Sequence, residues 1–328
     1  MILYWVFVLA AATLLYVLLD GFDLGVGILF GLTGDEARRR AMLGAVAPVW
    51  DGNETWLVVT GVVLWGAFPL VYATLLSAFY LPIFAMLAGL ILRGVAFEFR
   101  YKTQRLRWMW DAGFAGGSLV AAFIQGMTVG ALVEGLPVAD GRYVGGTFGW
   151  LSPFAILCGL GLCLGYMLLG ACWLVRKCDG DVRDDAYRLI PRLSIGLMLF
   201  LIVVFAYALI DHLAILRRWF ERPYLFVFPA IGVAASILLA KSVRRRRDTP
   251  PFYMVATIFA AAFGTLAISF WPYMIPFSIT VNQAASGHAS LAFMFWGEGI
   301  FVFPLMLLYT VISFRVFRGK ATSEPVHY

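Results

Sequence analysis

Two acidic pairs stand in otherwise apolar sequence near the start of the chain. Asp20 and Asp23 fall in Leu19-Asp20-Gly21-Phe22-Asp23-Leu24-Gly25, and Asp51 and Glu54 in Pro48-Val49-Trp50-Asp51-Gly52-Asn53-Glu54-Thr55-Trp56. Each pair is spaced three residues apart, which on a helix puts both members on one face. An ionised acid at the middle of a bilayer costs about 2.5–3.5 kcal/mol even on the most lenient insertion scale. Four such groups must be paired, protonated, hydrated from within or close to the membrane surface. Crowded carboxylates cannot all be ionised together, so the cluster is suited to taking up protons and passing them on. A structural account competes with that one. Pro48 suits a helix start, and acids in a first turn favour the helix dipole. Gly21, Gly25 and Gly27 could loosen the first helix and leave Asp20 and Asp23 to cap a break.

The elements that position these acids are membrane helices. The 328 residues are 62% hydrophobic and 13% charged, where a soluble domain has about 45–50% apolar and about 25% charged residues. Apolar runs of about 20 residues recur, and they do not alternate in polarity as barrel strands do. The fold class is therefore all-α integral membrane, one polytopic domain over residues 1–328. Nine spans are predicted, at about 2–30, 48–72, 74–97, 110–133, 150–175, 193–213, 224–243, 252–275 and 291–317. They could group as halves 1–133 and 150–275 with an extra helix, 291–317. The N-terminus has no basic region or small-residue cleavage site, so it reads as a retained span and not a signal peptide. Cys158, Cys163, Cys172 and Cys178 form no CxxC pair; Cys158 and Cys163 read as small packing residues, and no disulfide is predicted.

Positive charge orients the chain. Arg38–Arg40, then Arg100, Lys102, Arg105 and Arg107, then Arg176, Lys177, Arg183, Arg188 and Arg192 fill the first, third and fifth loops. Lys241 and Arg244–Arg247 fill the seventh, and Arg315, Arg318 and Lys320 the tail. The even loops hold only Arg142, Arg217, Arg218 and Arg222. Lys/Arg excess marks the cytoplasmic side, so the N-terminus is expected outside and the C-terminus inside. This asymmetry accounts for the net charge of +6 and makes nucleic acid an unneeded partner; Arg244–Arg247 suits anionic lipid. Both acidic pairs then lie at similar depth near the cytoplasmic face.

Other charges sit at span ends. Arg93 is deep and needs a partner; Glu98 follows it by five residues, and Arg100 suits an interfacial position. Trp108, Trp110 and Asp111 form an interfacial belt pattern. Glu298, in the outer half of the last span, is a weaker candidate. His212, His288 and His327 all fall in loops or the tail, so no span offers a bis-His or Met/His haem site. No HExxH, P-loop or dinucleotide motif occurs.

At these residues the sequence resembles subunit II of the cytochrome bd-type quinol oxidases. The resemblance is carried by Asp20–Gly27, Ala47–Leu57, Phe68-Pro69, Phe79-Tyr80, Arg93–Arg100, Leu308-Tyr309-Thr310 and Phe317–Lys320. Glu54-Thr55 and Arg93-Gly94-Val95-Ala96-Phe97-Glu98-Phe99 look most like the cyanide-insensitive branch. The resemblance implies nine helices, as two four-helix bundles plus one peripheral helix. It implies a bacterial inner-membrane complex that oxidises quinol and reduces dioxygen to water. Haem b and haem d, or haem b alone, would belong to the haem-bearing subunit I, and a small single-helix accessory subunit is a further partner the resemblance admits. Subunit II would support subunit I and supply a cytoplasmic proton path. Asp51 matches the proton-path acid, with Asp20, Asp23 and Glu54 beside it, and Trp50 matches a position next to a bound quinone. Two rival classes remain: a proton-coupled transporter, which broken helices would favour, and a purely structural assembly subunit.

Overall fold

A computed structural model of the chain describes residues 1–103, 105–139, 141–211, 219 and 223–321. His212, Arg217, Arg218, Arg222 and His327 lie outside the described residues. Among the described residues, the α-helices of seven residues or more are α1 (Ile2–Gly31), α2 (Glu36–Val46), α3 (Trp50–Ala67), α4 (Pro69–Phe99), α5 (Arg107–Glu134), α6 (Pro153–Lys177), α7 (Gly180–Asp211), α8 (Val227–Arg244), α9 (Pro250–Phe270), α10 (His288–Met294) and α11 (Val302–Val316). Eight described segments are long and apolar enough to cross a membrane. The predicted second span, about 48–72, is not among the eight; it corresponds to α3, which has 18 residues and carries both Asp51 and Glu54.

Several boundaries move. The second span was expected to reach residue 72, but Phe68 leaves the helical region (φ −134°, ψ 56°) and Pro69 opens α4. A residue before proline is driven out of the α region by the pyrrolidine ring, so Phe68-Pro69 sets the break. The fifth loop shrinks to two residues, because α7 starts at Gly180 and runs through Pro191. Arg38–Arg40 lie in no loop; they belong to α2, whose N-cap Asp35 accepts hydrogen bonds from the amides of Ala37 and Arg38 at 2.8 and 3.1 Å. The last span is interrupted by a π-helical turn, Phe295–Gly299, between α10 and α11. The glycines after Asp20 do not break α1, which stays helical to Gly31.

Packing explains those glycines. α6 is the most buried span and α1 lies against it. A Cβ on Gly25 would fall 1.8 Å from the Tyr166 carbonyl oxygen, and one on Gly170 would fall 2.6 Å from the Val26 amide nitrogen. Small residues let membrane helices approach until their backbones touch, where dispersion and not the hydrophobic effect holds them. The contact fixes the rotation of α1 and turns Asp20 and Asp23 fully inward. α5 and α3 complete the surround of α1. α4 passes beside α5 and bends at Phe79 (φ −113°, ψ 21°), three residues before Pro82, where the ring and the missing N–H break the hydrogen-bond ladder.

The tail closes the basic end. Lys177 donates to the carbonyls of Phe317 and Gly319, Lys320 to those of Val175 (3.2 Å) and Cys178 (2.9 Å), and the Ala321 amide to Lys177 (2.7 Å). Thus the last described residues satisfy carbonyls that the end of α6 leaves unpaired.

Gly25→Ala places a methyl inside a backbone carbonyl, so α1 and α6 must separate. Overpacking costs about 1–3 kcal/mol or more. The expected outcome is loss of folded protein on size-exclusion chromatography, whereas Gly34→Ala, with no atom within 4 Å of the added carbon, melts as wild type.

Candidate functional site

The centre of the site is Arg93 on α4. It is 1% exposed, and its Nη1 lies 3.3 Å from Asp20 Oδ1 and 3.8 Å from Glu54 Oε2. Its seat depends on Gly117 of α5, where a Cβ would fall 2.3 Å from the Gly89 carbonyl oxygen and 3.2 Å from Arg93 Cβ. That close approach brings the cation down onto α1. The guanidinium carbon also lies 5.9 Å from the Trp50 ring centre and 6.0 Å from that of Phe114. Apolar and aromatic walls weaken screening, so the pairing is strong and the cost of losing it high.

Asp20 and Asp23 are fully buried. Asn53, in the first turn of α3, donates to Asp23 Oδ2 at 2.7 Å and to the Leu19 carbonyl at 3.3 Å. The start of α3 is thereby level with the Asp20–Asp23 stretch of α1. The structure brings Asp20, Asp23, Glu54 and Arg93 together. Asp51 is exposed on α3, and Trp50 is half-buried against Phe97, ring centres 5.2 Å apart. Glu98 is exposed and does not serve as the partner of Arg93; Asp20 does. Glu298 is exposed within the π-helical turn.

Three residues of this cluster escaped the sequence reading. Tyr166 on α6 donates to Gln125 Oε1 on α5 at 2.7 Å, and Gln125 Nε2 donates to the Tyr16 hydroxyl at 2.7 Å. Tyr16 stands one turn before Asp20 on α1. Gln125, an amide inside an apolar span, was the available signal. Asp20 Oδ2, Asp23 Oδ1, and Arg93 Nε and Nη2 are buried with no hydrogen-bond partner among the described residues.

A second network lies at the same end and anchors α2. Arg100, 1% exposed, pairs with Asp111 and, at 2.7 Å, with Glu36. Arg39 reaches Asp111 at 2.8 Å, and Arg107 reaches Glu36 at 3.4 Å. Burial works against the Glu36 anion, yet the guanidinium groups of Arg100, Arg107 and Arg40 outweigh it and hold the carboxyl below its ordinary range. Arg100 was expected to snorkel at the interface; it is enclosed instead, because two carboxylates meet it inside. Beside the tail, Asp248 accepts from Arg183 (2.7 Å), Tyr187 (2.9 Å) and Lys320 (3.1 Å). Partial burial opposes its charge, but these donors keep the Asp248 carboxyl below the usual aspartate range. Among the described residues, no three His, Cys, Asp or Glu side chains are placed to hold a metal ion.

Comparison with known proteins follows this geometry. The family model described as cytochrome bd terminal oxidase subunit II matches residues 1–317. The probable cytochrome oxidase subunit 2 of Haemophilus influenzae is 32% identical, over 92% of this chain and 90% of that one. The cytochrome bd-I ubiquinol oxidase subunit 2 of Escherichia coli is 30% identical, over 94% and 91%. The cytochrome bd ubiquinol oxidase subunit 2 of Bacillus subtilis is 29% identical, over 99% and 98%. A chain of the bd oxidase structure from Geobacillus thermodenitrificans superposes with a TM-score of 0.79, covering 96% of each chain at 18% identity, which supports the fold.

Arg93→Leu leaves Asp20 and Asp23 buried without their cation. Breaking such a pair costs about 3–5 kcal/mol, so the variant is expected to lose most of its folded yield in detergent. Asp248 sets a pH dependence near the tail. Its folded proton affinity lies below the unfolded one, so its contribution is complete above the ordinary aspartate value of about 3.9 and is lost as pH falls through the folded value. Hydrogen exchange at residues 317–321 should accelerate in that acid window, and Asp248→Asn should show the faster exchange already at neutral pH.

Proposed function

The chain belongs to the cytochrome bd terminal oxidase subunit II family, and on that premise we propose that it supplies protons, through its acid cluster, to a quinol oxidase complex. Membership makes it one subunit of a membrane oxidoreductase, with a subunit I as partner. The haems of that partner, b and d types or b alone, would carry the electron chemistry, in which quinol is oxidised and dioxygen reduced to water. This chain's residues handle the protons that the reduction consumes.

The observation that carries the reading is the charge imbalance at the end of α1. One guanidinium faces two fully buried carboxylates and a third that is 28% exposed. An electron arriving at a buried haem is much cheaper to hold when a proton accompanies it, because charges in a low-dielectric interior interact strongly. Asp51 and Glu54 stand at the exposed side of the cluster and would receive protons; Asp20 and Asp23 lie behind them. The Lys/Arg asymmetry favours the cytoplasm as the source and the bacterial inner membrane as the location, with the N-terminus outside. Trp50, half-buried beside Phe97, is the residue we place next to any quinone held on this side.

The continuity of α1 through Gly31 weighs against a transporter, whose ion sites are typically built on broken helices. A purely structural role is favoured by the burial of Arg93 and Asp20, and substitutions on the exposed acids decide between the two. Asp51→Asn should leave the haem absorption spectrum of the purified complex intact and slow steady-state quinol oxidation about a hundredfold or more, within the range for a lost proton-transfer group. Wild-type turnover in both Asp51→Asn and Glu54→Gln would remove this side of α3 from the path. A colourless preparation with no co-purifying larger subunit would overturn the oxidase assignment itself.

A further inference from the structure

We infer that Arg176, at the end of α6, holds the phosphate of an anionic phospholipid whose acyl chains lie in the furrow between α9 and α11. The first support is an unmatched charge. Arg38, Arg39, Arg93, Arg100, Arg107 and Arg183 are buried or half-buried, and each has a carboxylate within 3.4 Å. Arg176 is half-buried as well, yet no carboxylate among the described residues pairs with it. Lys177 beside it is already bonded to the Phe317 and Gly319 carbonyls. A half-buried cation without an anion is costly unless something outside the chain supplies one.

Aromatic rings hold that charge in place. The Arg176 guanidinium carbon lies 5.6 Å from the Trp173 ring centre, 5.8 Å from that of Phe252 and 5.1 Å from that of Tyr253. All three fall inside the reach of about 6 Å over which a ring quadrupole attracts a cation. The rings displace water from the guanidinium, but they carry no net charge to cancel its own. Its N–H groups stay available, and their planar fork matches phosphate oxygens two at a time. Arg245 makes the contrast. It is exposed, with no ring or acid beside it among the described residues, so it attracts anionic lipid only diffusely.

The second support is the place. Phe22 of α1 meets Phe252 on α9, ring centres 5.7 Å apart, and Phe314 on α11, at 6.2 Å. That face of α1 therefore lies between α9 and α11. One turn farther into the membrane it presents Leu18, which is half-buried. α11 has no fully buried residue and does not pack closely along α9. The result is an apolar furrow open to lipid, with Arg176 at its surface end. Tyr253, 49% exposed, stands at the mouth, at the level where tyrosine rings meet headgroups. Basic pockets between membrane helices take phospholipid headgroups in this way. A quinone headgroup is neutral and would leave the charge of Arg176 uncompensated. A phospholipid supplies both the anion and the chains that fill the furrow.

The test is native mass spectrometry on the delipidated complex in detergent, titrated with phosphatidylglycerol or with phosphatidylcholine of the same chains. Haem content checks assembly. In the wild type one phosphatidylglycerol should bind about tenfold more tightly than phosphatidylcholine, the scale of one bond to a charged group. Arg176→Gln should weaken phosphatidylglycerol to the level of phosphatidylcholine. Tyr253→Ala removes an exposed ring at little cost to the fold and should weaken phosphatidylglycerol several-fold, so the site is tested even where Arg176→Gln fails to assemble. Arg245→Gln should bind as wild type. Equal binding of the two lipids by the wild type, or equal losses in Arg176→Gln and Arg245→Gln, would overturn the site. So would lipid binding untouched by Arg176→Gln alongside loss of the co-purifying larger subunit, which would make a carboxylate of that subunit the missing anion. Displacement of the lipid by micromolar inorganic phosphate would overturn the lipid assignment in favour of free phosphate.

Discussion

A single guanidinium fixes the interior of this protein. Arg93 is enclosed by α1, α3, α4 and α5, and it is tolerable there only because Asp20 meets it. The converse holds for the charged form: an ionised Asp20 could not be fully buried without a cation. The helices must therefore arrive together, since each brings a group that would be intolerable alone. The glycines at the α1–α6 and α4–α5 crossings make this possible. They let backbones touch, and so place acids from one helix and a base from another within bonding distance in a membrane that offers neither solvent nor counter-ion.

Around that centre the charge is graded. The innermost carboxylates contact one cation and a neutral amide. Farther out, Glu36 and Asp111 are shared among Arg39, Arg100 and Arg107, and this outer network pins α2 across the end of the bundle. The inner cluster has more acid than base and the outer one more base than acid. A proton moving inward would leave a region that disfavours it and reach one that lacks it. The outer arginines are matched to fixed anions, which limits the barrier they present.

Much of this was legible in the sequence, and the reasons are physical. Apolar run length depends on bilayer thickness, so helix existence followed from hydropathy. The i,i+3 acids were conspicuous because charge inside a span is expensive. Helix ends were less legible. Phe68-Pro69 looked like part of a span, since a one-residue break contains no polar signal, and the start of α7 was hidden by charges that suit a loop as well as a first turn. Partners across helices were invisible. Arg93 had Glu98 five residues away in sequence, but on α4 that spacing points Glu98 outward, and the true partner is 73 positions distant. Tyr16, Gln125 and Tyr166 meet from three helices, and only tertiary packing shows that they bond to one another.

The lysine clasp at the tail has a mechanical consequence. Lys177 and Lys320 tie the end of α6, the innermost span, to the segment just after α11, a helix without a fully buried residue. A peripheral membrane helix with few contacts would otherwise slide along the bilayer normal or tilt with local thickness. Fastened at one end to the core, α11 keeps a constant height. Thr310, which accepts from the Trp56 indole at 3.3 Å, and Tyr309, which lies over Gly52, are then held level with the start of α3. A stretch or thinning of the surrounding lipid would bend the free end of this helix and leave the end beside the acids in register.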